Sequence, residues 1–396
     1  MPEWRTSTIA EIADKSSRSI AIGPFGSALK AEVYSRSGVP VVRGQDITAG
    51  KSLSSEDRVY VPEDVAAQFP ACIVRDGDLV FPHRGAIGRV GIVSGEELLI
   101  SSSLMKLSVD RSRFDPLFVF YYFRWRGRDE LLARASTVGT PGIGQPLASL
   151  RGIPITYPPL SAQRAIVGVL GALDDKIAAN MEALSVADDL VRTRLATLRG
   201  GTVPLGHFAD QARVQIDPAT VDGDQMYVGL EHVPRRLAWL IEHGRADSVS
   251  SAKARFERGD ILFGKLRPYF HKVVHAPAAG VASTDILVVR AKDPALSGFV
   301  LACASSDQAV QATTAASEGT RMPRTKWADL AAVEFPWPSD NKVKTFSAEV
   351  DQISSLAAAL VRENGRLASA RDELLPQLMS GRVTVRDAEE VVEAVT

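Results

Sequence analysis

The side chains best suited to chemistry in this sequence are cations that cluster in loops. One loop reads Arg321-Met-Pro-Arg324-Thr325-Lys326, which places three cations and a threonine within six residues. An arginine can bind a guanine edge through two parallel hydrogen bonds, whereas lysine and threonine commonly hold phosphate groups. The composition predicts contacts to nucleic acid; the alternative interpretation is an ordinary solvated loop.

Related clusters elsewhere in the chain favour the functional interpretation. The second half of the chain holds a basic cluster with an aromatic residue, made of Lys265, Arg267, Tyr269, His271 and Lys272. In the first half Arg84 and Arg89 occupy the matching place, and Gly139-Thr140 matches Gly319-Thr320 at the start of a loop. Because two equivalent regions carry the same type of cluster, we interpret both as DNA-contacting surfaces, with Thr140 in the first.

Two further loops of the first half have a similar character. One is glycine-rich and contains Ser27 and Lys30, a hydroxyl and a cation that suit phosphate binding. In the other, Arg43 and Gln45 follow the strand-like run Val39–Val42 and enter a turn. We add these four residues to the candidate DNA-binding set.

The motifs that carry catalysis are missing from the sequence. The glycines of Gly139–Gly144 have the reverse spacing of a dinucleotide fingerprint, and there is no phosphate-binding P-loop. Tyr157-Pro-Pro-Leu160 lacks the amide or acid and the aromatic residue of the adenine methyltransferase tetrapeptide. His271 and His275 have the spacing of helical zinc ligands, but they fall in a predicted strand without a third ligand nearby. We therefore expect no catalytic residue, no metal site and no cofactor.

The composition is that of an ordinary globular protein. A length of 396 residues predicts two domains. Hydrophobic residues make up 45% of the chain and charged residues 23%, as is typical of a globular protein. A net charge of −1 neither supports nor excludes DNA binding, because local patches determine the field in a groove. No apolar run is long enough for a membrane span and no signal peptide is evident, so we expect a cytoplasmic protein without a membrane partner. Cys72 and Cys303 are interpreted as buried thiols.

The elements that must position the basic clusters occur twice. Pro158 and Pro338 are 180 residues apart, and we expect this offset to hold without insertion from Gly139 and Gly319 onward. Upstream, other segments repeat as well. These are the turns at Gly77-Asp78 and Gly259-Asp260, the hairpins Arg84–Val93 and Lys265–Val274, and the helical segments Phe114–Arg134 and Pro294–Gln311.

Each repeat ends in a long helical pattern with a narrow apolar seam. Steps of three and four residues connect Ile166, Leu170, Leu173, Ile177, Asn180, Leu184, Ala187, Val191, Arg194 and Leu198. The same steps connect Phe346, Val350, Ile353, Ala357, Leu360, Asn364, Leu367, Arg371, Leu374 and Leu378. A seam this narrow is typical of a coiled coil, whereas a helix on a globular core has a broader stripe. Two ordinary core helices are the alternative.

At this point the residues carry a family resemblance. The signature Tyr157-Pro-Pro-Leu160-Ser-Ala-Gln163-Arg164-Ala-Ile166 joins a strand to the first long helix, and the whole arrangement is then repeated. With the duplicated Gly-Asp turns, this resembles the specificity subunit of Type I restriction-modification enzymes over almost the whole chain. The second copy departs from the signature at Ser339–Phe346.

The resemblance implies an α+β protein with two tandem α/β target-recognition domains, each followed by a long helix. The implied segments are 1–158 and 202–338 for the domains, 159–201 and 339–381 for the spacer helices, and 382–396 for an acidic, solvated tail. It also implies a non-catalytic subunit that reads a split site in double-stranded DNA, with the helices fixing the gap. Two methyltransferase subunits and restriction subunits would supply the chemistry. A protein–protein adaptor on the same scaffold, or a remote nuclease, are the alternatives.

The implied pseudo-twofold symmetry predicts that the two long helices pair antiparallel. Residues that face each other then have numbers with a constant sum. Each seam holds one asparagine, and a buried amide is costly unless it meets another polar group. Placing Asn180 opposite Asn364 brings apolar residues together along the rest of the seam, except where Arg194 and Arg371 face apolar partners. We predict an Asn180–Asn364 hydrogen bond that fixes the register, and we expect the arginines to extend out of the seam.

Overall fold

In the computed structural model, the described residues are 3–16, 18–24, 29, 31–48, 50–136, 139, 141–216, 223–246, 253–317 and 322–395. The chain divides into two compact units, each assembled from separate stretches of sequence. The first unit comprises Met1–Lys176 and Arg366–Thr396, and the second comprises Ile177–Gly365. The division falls inside both long helices, α6 (Leu160–Thr197) and α11 (Asp340–Met379).

The described part of the first unit combines two four-stranded sheets and two two-stranded pairings with short helices. Its strands are β1 Arg5–Thr8, β2 Ile20–Ile22, β3 Val39–Val42, β4 Val59–Val61, β5 Ile73–Val74, β6 Leu79–Pro82, β7 Gly91–Ile92, β8 Leu98–Ile100, β9 Leu104–Leu107, β10 Ala135–Ser136, β11 Gly142–Ile143 and β12 Pro154–Tyr157. One sheet has the order β2-β9-β6-β7 and the other the order β4-β3-β8-β5. The short helices are α1 Ile9–Ile12, α2 Glu63–Ala66, α3 Pro116–Arg124, α4 Arg126–Ala133 and α5 Pro146–Arg151.

The second unit repeats this plan. Its strands are β13 Gly201–Pro204, β14 Ala209–Gln211, β15 Gln215–Ile216, β16 Met226–Val228, β17 Gly244–Arg245, β18 Lys253–Phe256, β19 Ile261–Gly264, β20 Val273–His275, β21 Gly280–Ala282, β22 Ile286–Ala291 and β23 Glu334–Trp337. Nine of them form sheets in the orders β14-β22-β19-β20 and β15-β18-β21-β16-β17, and β13 pairs with β23. The short helices are α7 Leu205–Phe208, α8 Ser297–Ala304, α9 Asp307–Ala315 and α10 Trp327–Ala331.

The duplicated Gly-Asp turns have the same geometry in both units. The aspartate carboxylate accepts the backbone N–H three residues earlier, at 2.9 Å from Arg75 to Asp78 and 2.7 Å from Glu257 to Asp260. The preceding glycine has a positive φ in both turns, 78° at Gly77 and 93° at Gly259, a conformation that glycine adopts readily. The motif therefore stabilises the turn before the buried strands β6 and β19.

The two long helices pair antiparallel, as the sequence predicted. In the first unit Arg371 Nη1 donates to Asp174 Oδ1 at 2.7 Å. In the second unit Arg194 Nη2 donates to Glu349 Oε2 at 2.5 Å. The paired numbers sum to 545 and 543, and a nearly constant sum is what antiparallel neighbours require. In the second unit the seam residues Leu184, Val191, Phe346, Val350 and Ala357 are buried in one apolar cluster.

Three helical expectations need correction. The segment predicted as one helix over Phe114–Arg134 is broken at Trp125, whose φ of −115° and ψ of −110° lie outside the helical region. The segment Pro294–Gln311 begins with a 3-10 turn and continues as α8 and α9. The acidic tail was expected to be solvated or frayed; its acidic side chains are exposed, but it is ordered as α12 (Val385–Val395), because its apolar residues follow a helical period and Ala388 is fully buried.

Candidate nucleic-acid interface

The two basic loops of the second half lie side by side in the second unit. The backbone N–H of Arg267 donates to Pro323 O at 2.8 Å, and the N–H of Thr325 donates to Lys265 O at 3.0 Å. Leu266 and Arg324 form the β-bridge between these two bonds. We call residues 264–272 and 322–326 the second loop pair. The pairing places Lys265 and Arg267 on a strand-like segment adjacent to Arg324, although more than 50 residues separate them in sequence.

The first unit contains an equivalent pairing. Gly85 N–H donates to Pro141 O at 3.1 Å, Ile143 N–H donates to His83 O at 3.0 Å, and Arg84 bridges Gly142. We call residues 83–89 and 141–143 the first loop pair. The equivalent bridges correct the matching made from the sequence. Leu266, and not Lys265, occupies the place of Arg84, and Lys265 occupies the place of His83.

The assumed constant offset also begins later than predicted. The matching bonds align Ile143 with Thr325, an offset of 182, whereas Arg151 and Ala331 end equivalent helices at an offset of 180. The segment from Ile143 to the end of α5 is therefore two residues longer than the segment from Thr325 to the end of α10. Loops accommodate such differences with little cost, whereas the helices that follow do not.

A tight turn presents the aromatic residue of the second loop pair. Pro268–Phe270 form a 3-10 turn, and the flanking Arg267 and His271 both have left-handed backbones, with φ of 51° and 52°. Tyr269 stands at the turn with half of its surface exposed, and its ring packs on Phe270 at a centroid distance of 4.8 Å. The guanidinium of Arg235 lies over the Phe270 ring, 4.3 Å from its centroid. An exposed aromatic face beside cations suits stacking on a base.

The predicted cations of the second loop pair differ in how they are held. Arg324 Nε lies 3.3 Å from Asp285 Oδ1, with 47% of its side chain exposed, and Lys326 is exposed. Lys272 Nζ donates to Leu230 O, and burial lowers the pKa of its ammonium. Thr325 is buried, and its hydroxyl donates to Asp329 Oδ2 at 3.1 Å. Thr325 and Lys272 thus have internal partners, whereas Arg324 and Lys326 face solvent.

The predicted residues of the first unit show the same division. Arg43 donates to Asp57 O at 2.7 Å and pairs with the buried Asp46. Gln45, Arg84 and Arg89 are exposed, and Arg89 Nη1 also donates to Ile47 O at 3.3 Å. Four residues of the predicted set, Ser27, Lys30, Thr140 and Arg321, lie outside the described residues.

The two seam asparagines meet in the second unit. Asn180 Nδ2 donates to Asn364 Oδ1 at 2.9 Å and to Glu363 Oε2 at 2.9 Å, and both asparagines are buried. The first partner was predicted, but Glu363 was not, because it lies beside the seam. That this pair fixes the register stays a prediction.

An ionic network in the first unit was missed by the sequence interpretation. Arg371 does not extend out of the seam: its side chain is 11% exposed and pairs with Asp174, which is 4% exposed. Tyr121 OH also donates to Asp174, at 2.8 Å, and Arg124 Nη1 lies 3.5 Å from the same carboxylate. The sequence did contain a signal for this network. Asp174 follows the seam residue Leu173, and the predicted register places Arg371 opposite that position.

Two other expectations concern absences. Within the described ranges, no group of three or more His, Cys, Asp or Glu side chains is arranged to hold a metal ion. Across the same part of the chain, no helix combines the length and apolarity needed to cross a bilayer.

The chain is similar to known restriction-modification proteins. Residues 1–185 match the family described as the Type I restriction modification DNA specificity domain. The Type I restriction enzyme EcoDI specificity subunit of Escherichia coli is 25% identical over 144 residues, an alignment that covers 35% of this chain and only 32% of that relative. The crystal structure of the Type I restriction-modification system S subunit from M. genitalium has the same fold, with a TM-score of 0.57 at 13% identity, covering 95% of this chain and 96% of that one.

The family match covers residues 1–185, a little under half of the chain. Over almost its whole length the chain has the fold of that solved S subunit.

Proposed function

We propose that this chain binds double-stranded DNA at a bipartite sequence and directs a Type I restriction-modification complex to it. The observation that carries the proposal is the pair of equivalent loop pairs, one in each unit, with exposed Arg84 and Arg89 in the first and exposed Arg324 and Lys326 in the second. Each loop pair would read one half of the site. The segments 1–158 and 202–338 would serve as the two target-recognition domains.

The chemistry of reading follows from the side chains present. Arg324 can exchange its contact with Asp285 for two hydrogen bonds to a guanine edge, since a guanidinium offers parallel donors. Lys326 would hold a phosphate, which positions the duplex without selecting a sequence. Tyr269 would stack on a base or lie against the backbone.

Methyl transfer and cleavage would belong to partner subunits. Two methyltransferase subunits would bind along the helices, and restriction subunits would join this assembly in the cytoplasm, where the DNA is. The length of α6 and α11 would determine the spacer between the half-sites.

The test begins with the recognition motif. Methylation sequencing of the host gives the modified sequence, and electrophoretic shift then compares a duplex carrying it with one in which both halves are scrambled. Purified chain with its methyltransferase partner should bind the intact duplex at least about a thousandfold more tightly, the usual ratio for specific DNA binding. Equal binding to both duplexes would reject the proposal, and binding of protein but no DNA would favour an adaptor.

Truncating the exposed cations of the second loop pair should weaken DNA binding in two distinguishable ways. Arg324→Ala should lower affinity for the intact site about tenfold and relax one base position, because a bidentate base contact is lost. Lys326→Ala should weaken binding to all sequences and reduce the salt slope by about one. Lys344→Ala, an exposed lysine paired with Asp293 outside the loop pairs, is the matched control. If both loop variants bind like the control variant, this surface does not contact DNA.

Exchanging residues 15–158 for the matching segment of a relative should change one half-site only. The reason is that each recognition surface is built from one repeat. Methylation sequencing of cells carrying the chimera measures the new motif. A chimera that methylates DNA but alters both halves would contradict the assignment of one half-site to each domain.

A further inference from the structure

The tight turn of the second loop pair is held from beneath by a buried polar cluster. His271, at the end of the turn, is 4% exposed. Its Nε2 lies 2.8 Å from Ser305 O, and its Nδ1 lies 3.5 Å from Asp307 Oδ1. Because a carbonyl oxygen only accepts, Nε2 carries the proton and donates to Ser305. Burial, with the nearby Arg192 and Arg236, lowers the pKa of His271, which keeps the ring neutral.

The spacer helix α6 supplies the other side of this cluster. Arg192 Nη1 donates to Ser305 O at 2.8 Å and lies 3.2 Å from His271 Nε2. Its Nε donates to Asp188 Oδ2 at 2.8 Å, and Asp188 Oδ1 accepts the backbone N–H of Ala238 at 3.1 Å. Arg192 and His271 thus share one carbonyl acceptor. We call Asp188, Arg192 and His271 the loop anchor.

The same helix also holds the segment that carries Arg235 and Arg236. Trp239 Nε1 donates to Leu184 O, a carbonyl of α6, at 2.8 Å. Arg236 N–H donates to His271 O at 2.9 Å, and Arg236 Nη1 lies 3.0 Å from Asp307 Oδ1. The cation that lies over Phe270, Arg235, is therefore adjacent in sequence to a residue bonded to the turn.

The backbone around the anchor is left-handed in three places. Arg236, Arg267 and His271 have φ values of 52°, 51° and 52°. Residues other than glycine, asparagine, aspartate and histidine rarely adopt this region, so the two arginines are the strained positions. Such conformations persist only where surrounding contacts over-determine them, and they cluster at functional sites. All three lie within one hydrogen-bonded patch, and a purely structural turn could have used glycine at no steric cost.

We infer that Asp188, Arg192 and His271 are positioning residues, which hold the Arg267–His271 turn in the conformation that reads the second DNA half-site. This inference rests on the proposed function. His271 and Asp188 are buried and the Arg192 side chain is only 15% exposed, so the anchor acts through the placement of Arg267, Tyr269 and Arg235. Its contribution is pre-organisation, since a turn already in its binding conformation loses less freedom on association.

The experiment measures half-site selectivity in the full chain bound to its methyltransferase partner. Four duplexes of about 40 base pairs are compared: the intact host motif, the motif with the first half scrambled, the motif with the second half scrambled, and the motif with both halves scrambled. His271→Ala removes the anchoring ring but keeps the strained backbone. Arg192→Met removes both hydrogen bonds but keeps the apolar stem. His271→Asn is a second anchor variant, because asparagine tolerates the left-handed region but its short amide does not reach the position of Nε2 opposite Ser305 O.

We expect His271→Ala and Arg192→Met to reduce the preference for the intact second half-site about tenfold, the effect of losing one buried hydrogen bond in a positioned contact. The preference for the first half-site and the affinity for fully scrambled DNA should stay within about twofold, because the exposed cations remain. His271→Asn should lose the same selectivity, because it keeps a residue suited to the backbone but not the bond to Ser305 O. A role confined to stability would lower the melting temperature and leave both selectivities unchanged.

The outcomes separate the two proposals. If the wild-type complex does not prefer the intact motif, the proposed function fails. If it does, and both variants keep wild-type selectivity for the second half-site, the anchor inference is wrong. Equal loss at both half-sites would also overturn it, because a loop-specific role cannot weaken the first half-site. Where His271→Ala yields no folded protein, Arg192→Met and His271→Asn decide the question by the same ratios.

Discussion

The Asp174→Ala variant is expected to lose about 3–5 kcal/mol of unfolding free energy, the usual cost of breaking a buried ion pair. Asp174 accepts from Arg371 at 2.7 Å and from Tyr121 at 2.8 Å, and its carboxylate is 4% exposed. Without it, the guanidinium groups of Arg371 and Arg124 lie close together with no carboxylate between them. The buried Tyr121 hydroxyl also loses its acceptor. Guanidinium chloride unfolding of the full chain measures the difference.

The second unit offers a matched control for this prediction. Arg194 and Glu349 also connect α6 to α11, but their side chains are 51% and 46% exposed. Arg194→Ala should therefore cost less than about 1 kcal/mol, because solvent screens an exposed pair. The double variant Asp174→Ala/Arg371→Met should cost less than the sum of its single variants by about 1–3 kcal/mol, since the two groups are coupled. An Asp174→Ala protein as stable as Arg194→Ala would show that the buried network contributes nothing.

The Asn180→Leu variant should lose about 1–3 kcal/mol, because Asn364 is left buried with an unsatisfied amide. The double variant Asn180→Leu/Asn364→Leu should regain this loss, since leucine suits a coiled-coil seam. It should also lose discrimination between DNA sites that differ by one base pair in the spacer, because the polar pair no longer excludes shifted registers. Unfolding curves measure the first effect, and methylation of a spacer-length series measures the second.

A leucine on the outer surface of α11 controls for hydrophobicity alone. Asn341 is exposed near the start of that helix, and Asn341→Leu should change neither stability beyond about 0.5 kcal/mol nor spacer selection. The register hypothesis fails if the double-leucine variant keeps both the stability and the spacer selection of the wild type. A single Asn180→Leu variant without any cost would mean that Glu363 or solvent satisfies Asn364 equally well.

The helical pairing was predictable from the sequence because it depends on local periodicity. Steps of three and four residues define one face of a helix wherever it lies, so the seam from Ile166 to Leu198 and its counterpart from Phe346 to Leu378 were evident. The one asparagine on each face, Asn180 and Asn364, then allowed us to predict which residues of the two helices meet, and these two side chains are hydrogen-bonded. The Gly-Asp turns were predictable for a similar reason, since the carboxylate bonds a backbone group only three residues away.

Contacts between distant segments were decided by the tertiary structure alone. Sequence composition marked Lys265–Lys272 and Arg324–Lys326 as basic, but only the backbone bonds between them show that they form one surface. The burial of Thr325 and the internal bond of Lys272 were likewise invisible, because a side chain's partner depends on what folds against it. His271 looked like one more exposed cation, yet it is buried, 3.2 Å from Arg192, which lies 79 residues earlier. Periodicity identifies a face, whereas the partner of a polar group is determined by long-range packing.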